Sequence, residues 1–406
     1  MKTKLFYTLV LGAVILCSFT SCKQKQDTKL GADRELETGS DIVTEKQETQ
    51  DSLTVATGEN EKENVSYADE KLNDAACFIA GLPVSNTEGK LYALTQTAEW
   101  QSHARNMNQI WNSFLQINPK ASAFSQTELS DINQKSHTLF YPFGGPDFLF
   151  SNTFFPDMDT YFLIGLERAG NAVEVKHPSV DTYHLYQNAV SDILNLSFFR
   201  TKDMKNELSN DTIDGVVPII TLLMERAGRE IVSLESKRLD KDGTIVSVKE
   251  DGSPIVRSNL AEIKFMKRGS DKVQTLYYLS ADLSNGGFLQ NKALQAYVAK
   301  LDKTTTTTFI KSASYLLHSR YFSGIRDAIL EHSSAIVQDD SGIPWSSYDE
   351  SKWDMSLYGT FTKPISLFAK YPQLDLRDVY QTRETEPLNF RIGYARQSNI
   401  QIARLK

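Results

Sequence analysis

"HTLFYPFGGPDFLFSNTFFPDMDTYFLIGLE", residues 137–167, changes its hydrophobic period twice. "HTLFYPF" (137–143) is an apolar run of the length a buried strand needs, and "TYFLIGLE" (160–167) is a second. Between them "DFLFSNTFF" (147–155) follows Gly144-Gly145-Pro146, where proline suits a first helical turn and glycines let the backbone turn sharply. The stretch therefore predicts a strand, helix, strand unit, the element from which sheets flanked by helices are built.

Upstream, "SYADEKLNDAACFIAGL" and "TAEWQSHARNMNQIWNSFLQ" carry apolar residues at helical spacing, with Trp100, Met107, Ile110, Trp111 and Phe114 on one face. Ser66 and Thr97 are the expected N-caps, and Asn118-Pro119 is expected to end the second helix. Downstream, helices are expected around 180–196, 202–209 and 215–227. An antiparallel meander over 229–283 follows, with turns at Asp242-Gly243 and Asp251-Gly252. The last third reads as helix 291–301, a strand opening on the threonine run 304–308, a helix over 321–333 and a strand "AIVQ". The fold class that results is α/β in the mixed α+β sense: a helical N-terminal part, then a mixed sheet with flanking helices. Residues 66–406 form the globular region, with room for two lobes divided near 200–228.

The beginning of the chain bears on location. Lys2 and Lys4 precede an apolar run from Leu5 to Leu16, too short to span a bilayer, and the sequence then reaches Phe19-Thr20-Ser21-Cys22. Residues 1–21 thus read as a lipoprotein signal peptide, with Phe19 where that pattern usually has leucine, and Cys22 as the acylated residue. Residues 22–65 read as an acidic disordered tether. Positions 23–65 hold eleven acidic and six basic side chains and no aromatic ring, so they bury too little to fold. As a flexible coil this tether reaches on the order of 35 Å. The expected setting is the bacterial cell envelope, outer membrane before inner. Cys77, the thiol left once Cys17 and Cys22 are accounted for, lies in an apolar helical pattern and reads as buried and inert. From residue 66 onward 36 basic and 40 acidic side chains are nearly balanced, which offers nothing to nucleic acid.

Two constellations carry chemistry. At the Gly144-Gly145-Pro146-Asp147 corner the start of a helix could hold an anion, and Glu167 after the second strand even imitates a nucleotide fold; equally, Asp147 could simply cap the turn. Tyr141 or Phe143, if exposed, offers a face for sugar stacking. The second is "QDDSGIPW" (338–345), where Asp339 and Asp340 at a strand end suit acid or base work, or an Asx turn. Nearby, Ser314 and His318 stand four apart and could form a nucleophile and base with Asp340. The six histidines, at 103, 137, 177, 184, 318 and 332, show no ligand spacing, and no Gly-x-Ser-x-Gly, Ser-x-x-Lys, His-Glu-x-x-His or Walker loop is present. Neither a metal nor a cofactor is expected.

The run 140–170 with "FIKSASYLLH", "QDDSGIPW" and "YGTFTKPISLF" resembles an uncharacterised family of exported bacterial proteins over most of 90–395. The resemblance implies a shared fold and brings no reaction with it. Its markers are Tyr141, Pro142, Phe143, Gly145, Pro146, Asp147, Glu167, Lys311, Ser314, Tyr315, His318, Gln338, Asp339, Asp340, Ser341 and Gly342. The leading expectation is a binding protein for an envelope glycan, peptide or protein partner. Its cleft would lie between the Gly-Gly-Pro-Asp corner and the 338–344 loop, with Tyr141, Phe143, Gly144, Gly145, Asp147, Glu167, Lys311, Gln338 and Ser341 as contacts. The alternative is a hydrolase of an envelope polymer using Asp339 or Asp340 with Ser314 or His318.

Overall fold

The computed structural model describes residues 68–175, 178–196, 214–248, 259–394 and 399–406. Cys22, the signal peptide, the tether, Ser66, His177, the helix expected at 202–209 and the Asp251-Gly252 turn lie outside these residues. Residues Asn64–Lys406 cluster as one compact unit.

Helices α1 (Glu70–Ile79), α2 (Lys90–Thr95), α3 (Ala98–Glu128) and α4 (Ser130–Lys135) precede the first strand, as the early periodicity indicates. Then come β1 (Thr138–Tyr141), α5 (Phe148–Phe154), β2 (Thr160–Gly165), α6 (Val180–Leu196) and α7 (Val217–Arg226). Strands β3 (Arg229–Leu239), β4 (Ile245–Ser247), β5 (Leu260–Lys267) and β6 (Val273–Ser280) lead to α8 (Asn285–Phe288) and α9 (Lys292–Ala299). The chain closes with β7 (Thr306–Ile310), α10 (Ser323–His332), β8 (Ala335–Gln338), β9 (Trp353–Gly359), α11 (Leu374–Thr382) and β10 (Asn399–Leu405).

All ten strands make one mixed sheet in the order β4-β3-β5-β6-β2-β1-β7-β8-β10-β9. The centre, β6-β2-β1-β7-β8, is parallel, and both flanks are antiparallel. Parallel strands are covered on both faces, so their side chains must be apolar in both directions. Leu139 and Tyr141 of β1 and Tyr161 and Leu163 of β2 join the core beneath α1, α3, α5, α6 and α7. Phe140, Phe162 and Ile164 point the other way, into a second core with α8, α9 and α10. This explains the unbroken apolar runs: each strand serves two cores. The threonines of β7 are buried, and Thr307 and Thr308 pair their hydroxyls with Ser136 (2.6 Å) and Ser333 (2.7 Å).

Three expectations are corrected. Pro119 does not end the second helix, because α3 continues to Glu128 and buries Ala121 and Phe124 beyond it. Pro119 itself is exposed, and the carbonyl that loses its amide partner belongs to Leu115, also exposed, so tertiary packing on the far side outweighs the lost bond. The first helix is capped by Asp69, whose Oδ1 accepts from the Leu72 amide at 3.0 Å, rather than by Ser66; Thr97 does cap α3. The 229–283 region is not a simple meander. The Asp242-Gly243 turn forms, but β5 lies on the opposite side of β3 from β4, and β6 runs parallel to β2.

Phe154 of α5 is fully buried, with ring centroids of Phe309, Phe390 and Phe124 at 5.5, 5.9 and 6.0 Å. It joins α3, α5 and the sheet. Phe154→Ala is expected to lower unfolding stability by about 3–5 kcal/mol, with an unchanged slope, in urea titrations.

Candidate functional site

The turn after β1 is built around its own tyrosine. The Gly144 amide bonds back to the Tyr141 carbonyl at 3.3 Å, and a Cβ at Gly144 would stand 2.6 Å from the Tyr141 ring. Gly145, at φ +52°, turns its amide onto the Ile164 carbonyl of β2 at 3.0 Å. Asp147 then starts α5: its Oδ1 accepts from the Phe150 amide at 3.1 Å. Its Oδ2 accepts from the Tyr141 hydroxyl and forms an ion pair with the Lys311 ammonium, both at 2.9 Å. All three side chains are buried, and the ammonium also lies 4.2 Å from the Phe150 ring centroid. Burial, and then the Asp147 charge, hold the Tyr141 hydroxyl well above its ordinary pKa.

The helix end that could have received an anion is thus filled by the protein's own carboxylate. Tyr141 is buried and presents no stacking face, whereas Phe143 is half-buried with its ring 6.2 Å from that of Phe322.

Around this corner opens a cleft of about 810 Å³, a volume that includes the open solvent at its mouth. Its walls come from the C-terminal ends of four parallel strands: Tyr141–Asp147 after β1, Ile164–Glu167 after β2, Ala281–Leu283 after β6 and Lys311–Ser314 after β7, with Leu316, Phe322 and Tyr394. The chain leaves β1 for β2 on one side, and β7 lies on the other. The cleft therefore opens at a topological switch point, where ligands bind in open α/β sheets.

The wall after β7 is strained. Ser312, Ser314 and Tyr315 have φ of 53°, 53° and 55°, a left-handed backbone that costs non-glycine residues of order 1–3 kcal/mol each. The strain is held by bonds from behind. The Ser312 amide donates to Asp339 Oδ2 (2.8 Å), the Ala313 amide to Ser341 Oγ (2.7 Å) and the Ser314 amide to the Tyr394 hydroxyl (3.1 Å). Tyr315 donates to Asp340 Oδ2 at 2.5 Å, and Asp339 Oδ1 in turn accepts from Ser341. Gln338 closes the next turn by bonding both the amide and the carbonyl of Ile343.

The candidate residues accordingly divide. Tyr141, Phe143, Gly144, Gly145, Asp147, Glu167, Lys311 and Ser314 line the cleft. Asp339, Asp340 and Ser341 lie behind its wall and hold it in place, whereas Gln338 bonds Ile343, Gln401 and Tyr348. His318 is elsewhere: its Nε2 is buried without a hydrogen-bond partner among the described residues, while Ser314 Oγ pairs with Tyr394 (3.0 Å) and Asp340 with Tyr315. Ser314, His318 and Asp340 are not hydrogen-bonded to one another. Sequence reasoning missed Asp282, Phe322 and Tyr394. Recognising that β6 runs parallel to β2 would have flagged Asp282, because the chain just past such a strand faces the crevice.

Elsewhere, His103 is a core residue, bonded to the Ile79 carbonyl (2.9 Å) and Gln187 (3.0 Å). Cys77 is buried against Glu225 at 3.2 Å, and burial pushes its thiol pKa up, in keeping with an inert thiol. Among the described residues no group of three or more His, Cys, Asp or Glu side chains is placed to hold a metal ion, and no helix is long and apolar enough to cross a membrane. No family model and no curated protein matches the chain.

Burial, and then the charge of Asp339, push Asp340 up to about 7, and burial raises Asp339 as well. The folded state therefore holds the Asp340 proton more tightly than the unfolded chain, and this contribution to stability grows as pH falls from above 7 toward the ordinary value of 3.8. Buried His103 and His318, pushed down to about 4, act in the opposite sense below about 6.5. The comparison with a variant isolates the carboxyl. Relative to Asp340→Asn, the wild-type chain is expected to gain thermal midpoint as pH is lowered from 8 to 5; parallel pH profiles would remove Asp340 as their source.

Proposed function

We propose that this chain is a lipid-anchored protein of the bacterial envelope whose folded region binds the end of a glycan or peptide in the cleft between β1 and β7. The cleft carries the reading: an opening at the switch point of a parallel sheet, one wall of which carries the left-handed Ser312 and Ser314, with the left-handed Tyr315 just behind it, held by carboxyl and hydroxyl groups. Strain of this kind persists where the surrounding structure over-determines it, and it concentrates at sites that hold ligands. A packed corner with no other role would not require it.

The shape supports a small ligand part rather than a flat partner surface. Phe143, Phe322, Leu316 and the exposed Leu166 give an apolar rim, and the polar groups of Asp147, Glu167 and Lys311 are buried. This is how ligand pockets divide affinity from orientation. The anchor rests on the apolar run 5–16 and Cys22. The acidic segment up to residue 65 would let the cleft reach substrates away from the membrane.

Two experiments test the two parts. In a bacterial host, Cys22→Ser is expected to move the protein from the membrane fraction to the soluble one; unchanged fractionation would refute the anchor. Calorimetric titration with a panel of mono- and disaccharides and short peptides is expected to give at least one ligand whose affinity falls on the order of tenfold in Phe143→Ala, the loss of one aromatic contact. Equal affinity in both proteins would place binding outside the cleft.

A further inference from the structure

Glu167 follows β2 and is 4% exposed, yet its Oε1 has no hydrogen-bond partner among the described residues. Its Oε2 is 3.5 Å from the Tyr278 hydroxyl, which makes its shorter bond, 2.9 Å, to the main-chain carbonyl of Glu167 instead. The carboxyl reaches this position because residue 165 is glycine. A Cβ there would stand 2.8 Å from Glu167 Oε2, 2.9 Å from the Gly145 Cα and 2.5 Å from the Tyr278 hydroxyl. Gly165 thus makes way for an under-bonded acid on the cleft wall.

The charges around it are unbalanced. Among the described residues the lining holds the carboxyls of Asp147, Glu167 and Asp282 against a single ammonium, that of Lys311, which is ion-paired with Asp147. Asp282 is exposed and accepts from the Ser284 amide and hydroxyl, which leaves Glu167 as the buried acid without a counter-charge. Among the described residues no arginine or histidine lines the cleft. A buried carboxylate without a counter-charge costs several kcal/mol, and a hydroxyl donor would satisfy its lone pair without neutralising it. A cation does both.

From this, and resting on the cleft reading above, we infer that the ligand presents a primary ammonium group to Glu167, with its apolar part against Phe143 and Phe322. Two envelope sources of such a group are an amino sugar with a free amine and the amino terminus of a peptide.

Isosteric pairs that exchange ammonium for hydroxyl separate the sources and the claim. Glucosamine with glucose, and phenylalaninamide with phenyllactamide, would be titrated into the full chain and into Glu167→Gln. The amine of one pair is expected to bind the wild-type chain at least tenfold more tightly than its alcohol, and Glu167→Gln is expected to abolish that preference. The pair that shows it names the source. Without ligand, Glu167→Gln is expected to melt no lower than wild type, since an uncompensated acid is removed; a structural carboxylate would instead lose stability. Equal binding of amine and alcohol by the wild-type chain overturns the inference without needing any variant, as does an amine preference that survives Glu167→Gln. Either result leaves the cleft reading intact if Phe143→Ala still weakens binding. Binding of no probe, with Phe143→Ala indifferent to the whole panel, sinks both.

Discussion

The carboxylate of Asp147 is the point on which the architecture turns. One oxygen satisfies a helix N-terminus, and the other takes the tyrosine of β1 and the lysine that follows β7. A buried ion pair gains little net stability over apolar packing, but removing one partner strands the other in a dry interior. Its value is geometric. It fixes the ends of β1 and β7 at the place where the strand order reverses, and so sets the width of the cleft between them. The aromatic residues of the corner, Phe148, Phe150, Phe154 and Phe155, then pack beneath a fixed framework.

Two layers of polar groups support this opening, and they differ in kind. The first, Tyr141, Asp147 and Lys311, is mutually neutralised. The second, Asp339 and Asp340 with Ser341 and Tyr315, places two adjacent carboxyls behind a loop bent into an unfavourable backbone region. Burial raises Asp340 first, and the neighbouring charge of Asp339 adds to it, because adjacent buried acids resist ionising together. The "QDDSGIP" stretch acts as a brace whose side chains accept from the backbone and hydroxyl groups of the segment in front.

Much of the fold is legible in the chain. The strand, helix, strand unit, the paired apolar runs, the threonine strand and the Asp242-Gly243 turn all follow from local patterns. What local pattern does not encode is which strands become neighbours. Nothing in "VQTLYYLS" says which strand takes its second edge: β6 pairs antiparallel with β5, as a meander requires, and parallel with β2 on its other side. Pro119 misleads for a related reason: a proline on the outer side of a helix costs one bond, while Trp111, Phe114, Ala121 and Phe124 decide whether the helix continues. At the site, Gly144, Gly145, Asp147 and Glu167 stand out by type and spacing. Tyr394 does not, since its role arises when residues eighty positions apart meet.

The placement of β10 sets an order of assembly. β9 occupies the outer edge and bonds to the sheet only through β10, which inserts between it and β8 although it comes later in the chain. A chain emerging N-terminus first therefore exposes the bonding edge of β8 and the whole of β9 until residues 399–405 arrive. During that interval the half-built flank is open to pairing with another molecule. β10 is a wedge rather than a trim, and its arrival closes that gap.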